Sequence, residues 1–129
     1  MTPLTSNSLL MMERSMDFLW AKQAAHLDNI SNAETPGYKV KTVTFEEAFD
    51  EKLRAAALGD GLSTRRAVRE VIEKDNWSVT EDEEVTRMDK NGVNITEQSM
   101  EAVRTAYQIQ YVYHAISSDL TILGKAINA

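Results

Sequence analysis

A chain of 129 residues suffices for one ordinary domain or two very small ones, and its twenty acidic and fourteen basic side chains leave a net charge of -6. That balance argues against a nucleic-acid binder, whose footprint is a clustered basic surface. The absence of cysteine excludes disulfide frameworks, thiolate metal sites and cysteine nucleophiles. With 43% hydrophobic but only 7% aromatic residues, the chain can build a modest core and is not disordered throughout.

Neither a basic n-region nor an apolar h-region opens the sequence, so export through a cleaved Sec-type signal is not expected. Apolar runs no longer than Leu9–Met12 give no membrane span. Between Pro3 and Pro36, the residues Leu9, Met12, Met16, Leu19, Trp20, Ala24, Leu27 and Ile30 recur at the spacing of one helix face. Thr35-Pro36-Gly37-Tyr38 then predicts a type II turn, with Pro and Gly at its two central positions. Tyr38–Thr44, rich in β-branched residues, reads as extended. Thr44 and Glu47 have capping-box spacing for a short helix with Phe45, Ala48, Phe49, Leu53 and Ala56 inward. Gly59-Asp60-Gly61 ends it.

Ser63–Lys74 fits either a helical turn or an irregular segment. Trp77–Val79 and Val85–Met88 read as short strands on either side of the acidic Glu81–Glu84. Asn91-Gly92 signals a tight turn, and Asn94 or Thr96 can cap the last helix. In that helix Ala102, Ala106, Ile109, Tyr113, Ile116, Leu120, Leu123 and Ile127 alternate steps of four and three, a coiled-coil seam of more than three heptads. The expected fold is mainly α: long N- and C-terminal helices, roughly 35–40 and 45 Å in length, pair as an antiparallel coiled coil. A discontinuous helical core would comprise residues 1–33 and 96–129. Residues 34–95 would form an outer, largely irregular middle with one small helix and short β strands.

Charge follows the same division. Residues 1–33 and 97–129 each hold three acids and two bases, so these 66 residues carry only 10 of the 34 charges. A lone solvated helix displays more charge than that. The last helix also has apolar residues off its seam, namely Met100, Val103, Tyr107, Tyr111 and Val112. One partner helix cannot cover both sides. A third helix of the same chain could do so, but the middle offers only one good candidate, and contacts with other chains are the expectation.

Little chemistry is encoded. His26 and His114 stand alone on their helices, with no HExxH pattern or carboxylate at ligand spacing. Glu81-Asp82-Glu83-Glu84 lacks the alternating ligands and Gly of a calcium loop and reads as a solvated acidic turn. Arg65, Arg66 and Arg69 form the only basic cluster, followed at once by Glu70 and Glu73. No phosphate loop, nucleophile elbow or paired-carboxylate motif is present. Neither an enzyme nor a bound cofactor or metal is expected. Three sequons, at Asn29, Asn76 and Asn94, are read as coincidence.

The segment Leu27-Asp-Asn-Ile-Ser-Asn-Ala-Glu-Thr-Pro-Gly-Tyr-Lys39 resembles the N-terminal signature of the bacterial flagellar rod, hook and hook-associated proteins, an NxxNxxTPGYK pattern. Asn29, Asn32, Ala33, Thr35, Pro36, Gly37, Tyr38 and Lys39 fall on it; Ser31 and Glu34 stand where the family often has Ala and Asn or Asp. Within the family the short proximal rod subunits are most similar. Val43–Phe49 resembles their segment after the turn, and Asn91–Ile95 their approach to the last helix. Tyr107-Gln108, Leu123 and the closing Lys-Ala-Ile continue the likeness. It covers residues 8–50 and 88–128.

The resemblance implies a structural subunit of the basal-body rod on the periplasmic side of the inner membrane, carried out by the flagellar type III export apparatus without a cleaved signal. Its implied partners are copies of itself, the other rod subunits FlgC, FlgF and FlgG, the junction protein FliE and the MS ring. The assembly helices would present Leu9, Met12, Met16, Leu19, Leu27 and Ile30 at one end, and Ile109, Tyr113, Ile116, Leu120, Leu123 and Ile127 at the other. A soluble helical export adaptor or chaperone is the alternative from a different class, and should be a stable folded dimer by itself.

Overall fold

Ser6 opens the first helix. Its extended backbone and its Oγ, which accepts from the Leu9 N–H at 3.1 Å, make it the N-cap of α1, Asn7–Ser31. In the computed structural model, which describes residues 6–45, 49–59, 61–74, 77–81 and 93–128, the chain is mainly helical. Its other elements are β1 (Lys41–Phe45), α2 (Phe49–Ala56), α3 (Leu62–Lys74), β2 (Trp77–Glu81) and α4 (Ile95–Asn128). Asn94 caps α4, its Oδ1 accepting from the Glu97 N–H at 3.2 Å. At 1.5 Å per residue α1 and α4 are about 37 and 51 Å long.

The two long helices run antiparallel: residues 26 and 29 of α1 meet residue 98 of α4, whereas Ser15, Phe18 and Leu19 share a groove with Tyr107, Gln108 and Tyr111. The inward positions of α4 are Gln98, Ala102, Thr105, Ile109, Val112, Ile116, Asp119 and Leu123, all buried or half-buried and alternating steps of four and three. This seam is rotated from the one that hydrophobicity alone selects. Ala102, Ile109, Ile116 and Leu123 belong to both, but Tyr113, Leu120 and Ile127 are 61%, 51% and 62% exposed. The reason is that Gln98, Thr105 and Asp119 occupy inward positions where an apolar count finds nothing. On α1 the buried residues are Leu19, Ala25 and Asn29. Leu9, Met12, Met16 and Ile30 are half-buried, whereas Trp20, Ala24 and Leu27 of the expected face point to solvent.

The middle of the chain folds back along α1. β1 and β2 form a two-stranded antiparallel sheet in which Lys41 faces Glu81 and Phe45 faces Trp77. The expected strand at Val85–Met88 lies outside the described residues, as do the capping-box Glu47 and the acidic turn except Glu81, which ends β2. Thr44 itself is a strand residue. The ambiguous 63–74 segment is a regular helix with Ile72 buried at its end. It packs on α1, where Asn7 Nδ2 donates to the Arg65 carbonyl at 2.9 Å and Arg14 to the Glu73 carbonyl at 3.3 Å. Among the described residues, no helix is long and apolar enough to cross a membrane.

Candidate functional site

The signature residues gather at one joint, where α1 ends, β1 begins and α4 starts. Asn29 is at its centre and is fully buried. Its Nδ2 donates to the Lys41 carbonyl at 2.8 Å and to Gln98 Oε1 at 3.0 Å. Its Oδ1 accepts from the Lys41 N–H at 2.9 Å and the Tyr38 hydroxyl at 3.2 Å. A carboxamide has two donors and one two-fold acceptor, and each is used. One side chain thus ties the strand and the two long helices together, in a place where an unmade bond is costly.

Each neighbour has a local reason to be there. The Asn32 N–H and side-chain amide both reach the Asp28 carbonyl, which terminates α1. Thr35 donates from its hydroxyl to Asn32 Oδ1 at 3.2 Å and from its N–H to the Asn32 carbonyl at 2.9 Å. The Tyr38 N–H then closes the turn on the Thr35 carbonyl at 3.2 Å, and Gly37 has φ +74°, the left-handed value that a type II turn needs at its third residue. A Cβ at Gly37 would meet nothing within 4 Å, so the demand for glycine is one of backbone conformation and not of space. Ala33 is buried beneath the turn, whereas Pro36 and Lys39 are exposed. Val93, on the approach to α4, is fully buried.

The joint's electrostatics are mild. Lys41 Nζ lies 3.2 Å from Asp28 Oδ2, and this hydrogen-bonded carboxylate raises the lysine's pKa. Burial pushes the Tyr38 phenol up; the Lys41 charge pulls it back in part, and Asp28 and Glu81 add to the rise. His26 Nδ1 is 2.8 Å from Gln98 Oε1, which requires the proton on Nδ1. His26 Nε2, Gln23 Oε1 and Thr105 Oγ1 are buried without a protein partner. Such atoms cost stability unless water reaches them. His114 touches Tyr113 edge-on and is far from His26 along the helices. No cluster of three or more His, Asp or Glu able to hold a metal exists among the described residues.

Farther along the two helices from the joint, the α1–α4 interface opens into a groove of about 590 Å³. Phe18 and Leu19 line it from α1, and Tyr107, Tyr111 and Val112 from α4, with Arg104 at its edge. Tyr107 and Tyr111 are 69% and 78% exposed. Apolar side chains continue over the outer sides of both long helices, through Trp20 and Leu27 on α1 and Met100, Val103, Leu120, Ile122 and Ile127 on α4. Monomeric proteins rarely leave so much apolar surface uncovered. Two features lie beyond the reach of the hydrophobic pattern: the Asn29–Gln98 bond and the polar inward positions of α4. The seven-residue spacing of Gln98 and Thr105, in phase with Ile109 and Ile116, is the signal that could have found them. No protein-family model matches the chain, and no curated protein sequence matches it.

Proposed function

We propose that the chain is a structural subunit of the bacterial flagellar basal-body rod, similar to the proximal rod protein FlgB, that polymerises through its two terminal helices. The observation that carries the reading is the apolar surface left uncovered along α1 and α4. Two long helices that leave Trp20, Tyr107 and Tyr111 in solvent are built to be covered. The NxxNxxTPGYK resemblance supplies the system, and the joint gives that pattern a physical purpose. Asn29 and the Thr35–Tyr38 turn fix the angle at which the chain leaves α1, and so the shape each subunit would offer its neighbours.

In this reading the subunit passes through the type III export apparatus and assembles with copies of itself, other rod subunits, FliE and the MS ring. A FlgC-like short rod subunit is the nearest variant. Basal bodies purified from the source bacterium should contain the chain in the rod, and deletion of its gene should leave cells without rods. Motile deletion cells with complete rods would overturn the proposal. A stable folded dimer of the purified chain in circular dichroism and sedimentation would favour an export adaptor instead.

A further inference from the structure

The turn between α2 and α3 has a chemistry unlike the rest of the molecule. From residue 52 to residue 69 the sequence holds five cations, Lys52, Arg54, Arg65, Arg66 and Arg69, against the single acid Asp60. That segment has a net charge of +4 in a chain of -6, so the remainder carries -10. Asp50 and Glu51 precede the segment and Glu70 and Glu73 follow it, so the excess of positive charge is local. Arg65 and Arg66 are exposed on the first turns of α3, where the helix dipole adds positive potential. On the two sides of the turn stand Leu58 and Leu62, 87% and 64% exposed. Gly61, with φ +83°, turns the chain between them.

We propose that this tip docks on an anionic phospholipid surface, with Leu58 and Leu62 entering the headgroup boundary and Arg65 and Arg66 pairing with lipid phosphates. Charge selects the partner. A positive tip on an acidic molecule orients itself toward a negative surface. The leucines distinguish a bilayer from free phosphate, which would have no use for them, since apolar insertion and basic side chains together make an interfacial anchor. Arg69 is committed otherwise: its Nε donates to Asn7 Oδ1 at 3.1 Å, which holds α3 and therefore the tip against α1. This inference is independent of the rod assignment.

The test is co-sedimentation of the full chain with vesicles of phosphatidylcholine alone or with about one-third phosphatidylglycerol. Binding should require phosphatidylglycerol and weaken as salt shortens the Debye length. An R65E/R66E double variant should bind at least about 25-fold more weakly, at roughly fivefold per cation lost near such a surface. An L58S/L62S double variant should lose about tenfold or more while keeping its salt dependence. All four side chains are exposed, and circular dichroism identical to that of the parent confirms that the variants fold alike. Equal binding to both vesicle types, or none, overturns the proposal. So does displacement by millimolar inorganic phosphate, which would mark a free-anion site. Undiminished binding of L58S/L62S to the vesicles, with equal binding to polyglutamate, would mark an acidic protein partner and overturn it as well.

Discussion

The two halves of the α1–α4 pair are built on opposite principles. At the joint the central buried group is polar and paired: Asn29 makes four hydrogen bonds with no exposure at all. Toward the far end of α4 the large groups are apolar and uncovered, with Tyr111, Tyr113, Leu120 and Ile127 all more than half exposed. A paired polar centre tolerates one geometry, because displacing it strands donors and acceptors. An apolar strip is non-directional and accepts whatever covers it. The joint therefore sets the shape of one chain, and the strip is available to others.

Breaking the joint should have the largest effect on the chain itself. In Asn29→Asp a carboxylate oxygen replaces the amide donor and faces the Lys41 carbonyl and Gln98 Oε1, both acceptors, at about 3 Å. Two lost bonds and a buried charge should cost about 3–5 kcal/mol, read as a fall in the urea midpoint. Asn29→Asp unfolding like the parent would mean that the joint does not hold the helices together.

Next in size is the seam. Ile116 is half-buried on the inward side of α4, so Ile116→Ala should cost about 1–2 kcal/mol and Ile116→Asp about 2–4 kcal/mol. If assembly covers the helices further, Ile116→Asp should also abolish rods while Ile116→Ala only weakens them. Ranking the two variants by thermal melting and by rod yield checks both statements. Tyr113→Asp, on the exposed side, should leave the melting temperature of the isolated chain nearly unchanged.

That pair of residues shows where the sequence was informative and where it was not. The long helices, the small strands and the Pro36-Gly37 turn follow from spacing, capping and turn chemistry that act over a few residues. The phase of the α4 seam does not, because Gln98, Thr105 and Asp119 are inward although polar, and for Gln98 the reason is supplied by α1: Asn29 and His26 bond to it. A helix apolar on more than one side has no unique face until its partner is known. The β1–β2 pairing was equally hidden, since Lys41 and Glu81 meet across two intervening helices with no hairpin signal between them. Asn29 could be recognised as part of a pattern, but its four bonds reach segments that only the fold brings together.

Gly37 should come third. With open space where a Cβ would stand and φ at +74°, Gly37→Val pays only the backbone cost, about 1–2 kcal/mol, and Gly37→Asn less. Equal melting temperatures for the three proteins would show that the turn relaxes without strain. Alkali gives a related but smaller effect. Tyr38 and Lys41 both have raised pKa values, so the folded chain prefers the neutral phenol and the charged amine. Both contributions are present below their unfolded pKa values and are lost as pH rises through the folded ones, above about pH 10. Stability should fall there, and fall less in Tyr38→Phe, in a urea series between pH 8 and about 11.

The smallest effect on the isolated chain is the most discriminating. Tyr107 and Tyr111 stand one helical turn apart on the open groove, largely in solvent. Replacing both with Ser removes little intramolecular burial, and the change in stability should stay within about 0.5 kcal/mol. An aromatic pair of this kind has the features of a binding hot spot: large area, few rotatable bonds and a polar tip. In the proposed rod the same double substitution should therefore prevent incorporation of a subunit that is exported and folds normally. The expected signature is a dissociation, with an unchanged melting curve and missing rods. If Tyr107→Ser/Tyr111→Ser instead lowers the melting temperature by many degrees, the strip is covered within the chain's own fold and the contrast with the joint disappears. If melting and rods are both unaffected, neighbouring chains must meet through another surface, and the exposed tyrosines have no part in assembly.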